Sequence, residues 1–174
     1  MSSFCTSHSL SFGSYQLLVS TTIARMSFAD KPRALTDLTT YLLSQTAKLA
    51  KRDLDQRLSE RGLRLRHMAV LAAVAEGPAS QLDLARRLDM DPSDMTATVD
   101  DLEGSRLVSR TVDSSDRRRK LVTLTRPGRT ELRRLDALAR EVAGALLAPV
   151  PAARRQQLHD DLYRVLVAHD HRDG

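Results

Sequence analysis

A single cysteine, Cys5, cannot close an internal disulfide, and it excludes zinc sites built on paired cysteines, as expected of a protein kept in a reducing cytoplasm. Tryptophan and asparagine are absent and isoleucine occurs once, at Ile23. No apolar run approaches the roughly 20 residues that a membrane-spanning helix needs, so no membrane partner is expected. Leu17 to Ala24 is apolar enough for a signal-peptide core, but no Lys or Arg precedes it and Arg25 follows it directly, which argues against secretion. There is no phosphate loop, nucleophile elbow or carboxylate pair in a catalytic context, so no enzyme activity and no cofactor are expected. His159, Asp160 and Asp161, with His169, Asp170 and His171, lack ligand spacing on one helical face, and no metal site is expected either.

Against these absences stand 41% apolar residues in a chain of 174, enough for one compact domain with its own core. Twenty-seven Lys and Arg against 22 Asp and Glu leave a net charge of +5, which favours an anionic partner without naming it. Residues 1–24 carry no Asp, Glu, Lys or Arg, and all three Phe lie before residue 31. Residues 1–30 are therefore expected to be a disordered tail, with Met26 a candidate initiator, and residues 31–174 the folded domain.

From Ala34 to Glu60, Leu35, Leu38, Leu42, Leu49, Leu54 and Leu58 recur at helical spacing, with Gly62 as the stop. A second helix over Arg64–Glu76 is apolar almost all round and should be buried, and Gly77-Pro78 ends it. Ser80 with Asp83 then opens QLDLARRL, and Asp91 with Pro92 opens PSDMTATVDDLEG. Only Asp89 and Met90 separate the two segments, so they must cross sharply around Leu84, Leu88, Met95, Val99 and Leu102: helix-turn-helix patterning. LVSRTVD and RKLVTLT follow as alternating strands of a β-hairpin turning at Ser114 to Arg118. A long helix from Gly128 to about Leu147 and a last one over Ala152–His169 complete the chain. The stripes of the first and last helices have no evident partner within the chain, and a symmetric second copy is the simplest cover, so a homodimer is expected.

The passages SQLDLARRLDMDPSDMTATVDDLEGSRLVSR, DSSDRRRKLVTLT and PGR resemble the MarR family of transcriptional regulators, over about residues 34–170. The specific part is Asp116, Arg117 and Arg118 followed by Val122, Leu124, Thr125 and Gly128. The resemblance implies a mainly α fold with a small β-hairpin wing. In it a winged helix-turn-helix at about 62–126 lies between dimerisation helices at about 34–60 and 128–170. It also implies an effector-responsive repressor of double-stranded DNA, in which Arg118 enters a minor groove and Asp116 orients it. Arg117, Arg119 and Lys120 would face phosphates, in a stretch holding five cations against two acids from Arg110 to Lys120.

The helix expected to read bases is acidic. Ser93, Asp94, Thr96 and Ala97 should face the duplex, with Asp94 either accepting from cytosine N4 or only capping its own helix. Affinity should then come from the wing, from Arg86 and Arg87 on the preceding helix, and from helix N-termini. Asp89 and Arg106 stand where relatives commonly carry glycine, and nearby Gly104 offers an alternative helix end. Tyr41 and His67 fall on elements that line the family's small-molecule crevice; the plain alternatives are a core position for Tyr41 and a structural imidazole for His67. A second reading is a winged helix that binds an acidic protein partner, for which the acidic helix is the best support.

Overall fold

The structure, a computed structural model, describes residues 27–113 and 120–170. Most of the expected tail and the tip of the expected hairpin lie outside these residues. The chain divides into two compact units, Met1–Gln45 and Thr46–Gly174.

In the first unit a 3-10 turn at Phe28–Asp30 is capped by Ser27, whose hydroxyl accepts from Ala29 N at 3.3 Å while Asp30 accepts from Ser27 N at 3.0 Å. Helix α1 (Arg33–Thr36) follows, then α2 (Thr39–Ser59), which continues into the second unit. The single helix expected from Ala34 to Glu60 is thus broken at Asp37 and Leu38. Thr36, Asp37, Thr39 and Thr40 are weak helix formers whose side chains compete for backbone groups, and Thr36 Oγ1 does so by donating to Arg33 O at 3.3 Å. Leu38 then restarts the ladder, its carbonyl accepting from Leu42 N at 3.1 Å.

The second unit holds the core. Helix α3 (Leu65–Ala75) buries Val70, Leu71, Ala73 and Val74, as its all-round apolar sequence requires, and packs against α5 (Pro92–Gly104), α6 (Arg126–Leu146) and strand β3 (Lys120–Leu124). Leu58, Leu71, Leu84, Met95, Leu102 and Leu135 are completely buried, each side chain contributing about 1.5–3 kcal/mol. Thr98 joins them without an unsatisfied hydroxyl, since its Oγ1 donates to Asp94 O at 2.7 Å. Strand β1 (Ala79–Ser80), absent from the sequence reading, turns the hairpin into a three-stranded antiparallel sheet of order β1-β3-β2, with β2 at Val108–Val112. Ala79 lies opposite Val122 on one side of β3, and Arg110 lies opposite Val122 on the other.

Helix α4 (Gln81–Arg87) starts where Ser80 Oγ accepts from Asp83 N at 3.2 Å, and α5 starts where Asp91 accepts from Ser93 N at 2.8 Å with Pro92 in the first turn. Helices α2, α4 and α5 end alike, on a residue with positive φ followed by a backbone bond five residues back. Gly62 (φ 69) serves α2, Asp89 (φ 48) serves α4 and Arg106 (φ 59) serves α5, with Leu63 N, Met90 N and Leu107 N bonded to Leu58 O, Ala85 O and Leu102 O. Gly104 does not displace the end of α5; it is that helix's last residue, and Arg106 takes the left-handed position.

Thr125 joins three elements. Its N–H bonds Leu107 O at 3.1 Å, its Oγ1 lies 2.8 Å from Arg106 O and 2.9 Å from Leu107 O, and the same oxygen caps α6 by accepting from Gly128 N at 3.0 Å. A Cβ on Gly128 would stand 1.9 Å from Leu107 O, so only glycine allows α6 to approach so closely. Helix α7 (Ala152–Asp170) is almost wholly exposed, with Leu162, Tyr163, Val165 and Leu166 uncovered.

Candidate nucleic-acid interface

The outward face of α5 carries Ser93, Asp94, Thr96 and Ala97, all exposed, because Met95, Thr98, Val99 and Leu102 take the inward positions. Ser93 Oγ donates to Asp91 at 2.6 Å. The added hydrogen bonds from Ser93, side chain first and backbone second, hold the Asp91 carboxyl below its ordinary range. Thr96 Oγ1 lies 2.9 Å from Pro92 O and 3.1 Å from Gln81 Nε2. The Asp94 side chain has no partner among the described residues, so it does not cap α5; Asp91 does.

On α4, Arg86 and Arg87 are both exposed. Arg86 has no ion pair among the described residues, whereas Arg87 bonds Glu76. An exposed pair of that kind is worth at most about 1 kcal/mol, so a phosphate can recruit Arg87 from it. Lys120 opens β3 opposite Val112 and is exposed. Asp116, Arg117, Arg118 and Arg119 lie outside the described residues.

The acidity of α5 has an internal answer that sequence reasoning missed. Arg110, on β2, directs its guanidinium to Asp100 and Glu103 of α5 and donates from Nε to Gln81 Oε1 at 3.1 Å. Its backbone N–H also donates to Glu103 Oε1 at 2.9 Å. That bond, then the guanidinium, keep the Glu103 carboxyl below the usual carboxylate range. Asp101 faces the other way, 3.2 Å from His67 Nε2 and 4.0 Å from Arg66. Three of the carboxylates of α5 are thus engaged within the protein, which removes most of the support for an acidic-partner reading. The only signal in the sequence was a lone Arg110 seven residues after Glu103.

The two expected ligand residues are occupied separately. Tyr41, in the first unit, stacks on Phe28 with ring centroids 6.3 Å apart. His67, in the second, is buried. Its Nδ1 accepts from Arg64 N at 3.0 Å, in the way a capping-box Glu would, and its Nε2 donates to Asp101. Burial lowers its pKa from 6.5, opposed by the Asp101 bond and aided by the charges of Arg66 and Arg64, so the imidazole is held neutral. Beside it is a cavity of about 270 Å³ lined by Gly62, Leu63, Arg64, Arg66, His67, Asp101, Leu102 and Ser105. Arg66 Nε is buried there without a hydrogen-bond partner among the described residues.

A sequence model described as MarR family matches residues 61–119. Among solved structures, the chain is similar to a transcriptional regulator (MarR family) from Rhodococcus sp. RHA1, with 30% identity and a TM-score of 0.66 over 77% of this chain and 96% of that one. It is similar to CouR from Rhodococcus jostii RHA1 bound to p-coumaroyl-CoA, with 32% identity and a TM-score of 0.64 over 77% and 95% of the two chains. A Mycobacterium tuberculosis MarR family protein in complex with DNA shares 25% identity and a TM-score of 0.66 over 74% and 97%.

Proposed function

The chain belongs to the MarR family of transcriptional regulators, and from that premise we propose that it acts as a cytoplasmic homodimer that binds specific double-stranded DNA and represses transcription until a small molecule releases it. The observation that carries this reading is the pairing of the solvent-facing residues Ser93, Asp94, Thr96 and Ala97 on α5 with a strand, β3, whose exposed first residue Lys120 continues the cationic run from Arg117. Arg118 is assigned to a minor groove, Asp116 to orienting it, and Arg117, Arg119, Lys120, Arg86 and Arg87 to phosphates. The similarity to a relative held on DNA supports the same partner.

The second copy is assigned to the exposed apolar residues of the terminal helices, Leu35, Leu38, Leu42, Leu43 and Leu49 at one end of the chain and Leu162, Val165 and Leu166 at the other. A pair of reading heads then meets two half-sites about one helical turn apart. The effector is assigned to the cationic cavity beside His67, with Tyr41 a separate candidate contact. A relative bound to p-coumaroyl-CoA supports an anionic ligand class with an aromatic group.

The test is binding to the duplex upstream of the chain's own gene, against a scrambled duplex of equal length, over a series of salt concentrations. Binding should weaken steeply with salt, with a slope near −0.9 for each phosphate neutralised. Absence of salt-sensitive binding to any native intergenic duplex refutes the proposal.

A further inference from the structure

The hydrogen bonds around α5 decide not only where its exposed side chains sit but in which direction each can bond. An arginine has donors only, so the Arg110 Nε contact at 3.1 Å must be to the oxygen of the Gln81 amide. The Gln81 nitrogen is then turned to Thr96 Oγ1, 3.1 Å away, and occupies one of its lone pairs. The Thr96 proton points at Pro92 O, 2.9 Å away, because the alternative sets two lone pairs against each other. What Thr96 has left for an outside group is one lone pair. Ser93 has likewise committed its proton, to Asp91 at 2.6 Å, and a carboxylate such as that of Asp94 is an acceptor by type.

We propose that the reading face of α5 is acceptor-only, and that at the base each side chain reaches it therefore selects cytosine or adenine, which present the N4 or N6 amino group in the major groove, over guanine or thymine, with Arg110 and Gln81 as positioning residues that hold Thr96 in its accepting state. This inference rests on the DNA-binding reading above. Guanine offers only N7 and O6 acceptors on its major-groove edge, so it has nothing to give these three side chains. Arg110 serves a second purpose in the same geometry. Its side chain is 17% exposed and it engages Asp100 and Glu103, so two carboxylates on the flank of α5 meet the duplex already compensated. A lysine in its place keeps the charge but has no planar fork with which to hold Gln81 and both carboxylates together.

The experiment starts from a pool of random duplexes, from which the unaltered full chain selects its preferred sequence. In the selected duplex, each cytosine or adenine is replaced in turn by 2-pyrimidinone or purine, which lack only the amino group. One position is expected to lose about 10-fold in affinity with the unaltered chain and less than about 2-fold with Thr96→Val, which has no acceptor there. Gln81→Leu, at a half-buried helix start outside the hydrophobic core, is expected to reduce the same penalty to about 3-fold, and Arg110→Lys to reduce it similarly. A change in fold stability alone lowers the active fraction on every duplex and leaves this penalty where it was. If the unaltered chain binds no duplex, the DNA-binding reading falls and this inference with it. If it selects a sequence but no amino-group deletion shows a penalty that Thr96→Val removes, the inference alone is overturned. A penalty untouched in a folded Gln81→Leu variant overturns the positioning role.

Discussion

Replacing Gly128 with alanine should unfold the protein far more readily than its place in the first turn of a surface helix would lead one to expect. The added methyl carbon would stand 1.9 Å from Leu107 O and 2.8 Å from Leu124 Cδ1, where real contacts stay beyond 3.0 Å. The nearest obstacle is backbone, held in turn by the Thr125 N–H at 3.1 Å, so it cannot swing aside as a side-chain tip could. Relief requires α6 to retreat by about 1 Å, at the ~1–3 kcal/mol typical of overpacking. The same retreat stretches the Thr125 bonds to Leu107, each worth about 0.5–1.5 kcal/mol. The intrinsic advantage of alanine over glycine in a helix returns at most ~1 kcal/mol. The net is a loss of about 2–4 kcal/mol, a large part of the ~5–15 kcal/mol that holds a domain folded. Urea unfolding followed by far-UV circular dichroism measures it, at one fixed chain concentration so that any association contributes equally to parent and variant. Gly144→Ala is the control in the same helix. Among the described residues no atom outside its own helix lies within 4 Å of that position, so the same chemical change should stabilise by about 0.5–1 kcal/mol. Equal effects at the two positions, or a Gly128→Ala variant as stable as the parent, would refute the close-approach argument.

Arg106→Gly should raise stability by about 0.5–1 kcal/mol, because the left-handed position costs an L-residue about 1–2 kcal/mol and the added chain entropy of glycine takes back part of the gain; a lower melting temperature would contradict this. The depressed pKa of His67 means that the unfolded chain takes the proton first, near 6.5, so stability should decline as pH falls from there towards the lower folded-state value. His67→Gln should flatten that part of the profile, whereas the lowered carboxyls of Asp91 and Glu103 lose their share only below their ordinary 3.8–4.5; a variant with the parent's slope would assign the effect elsewhere. Arg118→Ala should weaken binding to the native upstream duplex by about 1–3 kcal/mol in an anisotropy titration, and unchanged affinity would remove that side chain from the interface.

Local signals in the sequence carried most of the fold. Ser80 and the Asp91-Pro92 pair mark helix starts through bonds made within three residues, and the buried stripe of α5 follows from spacing alone. The Asp89 and Arg106 positions were legible as anomalies, and the structure shows the positive φ behind them. The break at Asp37 was not legible, because the leucine spacing runs straight across it while the interruption comes from threonine and aspartate side chains. Strand β1 has two residues, too few for any alternation to register. The bonds joining Gln81, Thr96, Asp100, Glu103 and Arg110 draw on α4, α5 and β2, and no window along the chain contains the reason they meet. Gly128 could be recognised as part of a pattern, but the Leu107 carbonyl that demands it is 21 positions away.

The carboxylate of Glu103 on the Arg110 amide also governs what the sheet can recruit. An outermost strand ordinarily offers its spare amides and carbonyls to any extended peptide that drifts past, the first step towards fibrils. Here the amide at the midpoint of β2 is already spent on a side chain of the helix packed against it, and the opposite margin of the sheet is only two residues long. A strand added along β2 would therefore lack the central rung of its ladder, and one added along β1 would have two residues to grip.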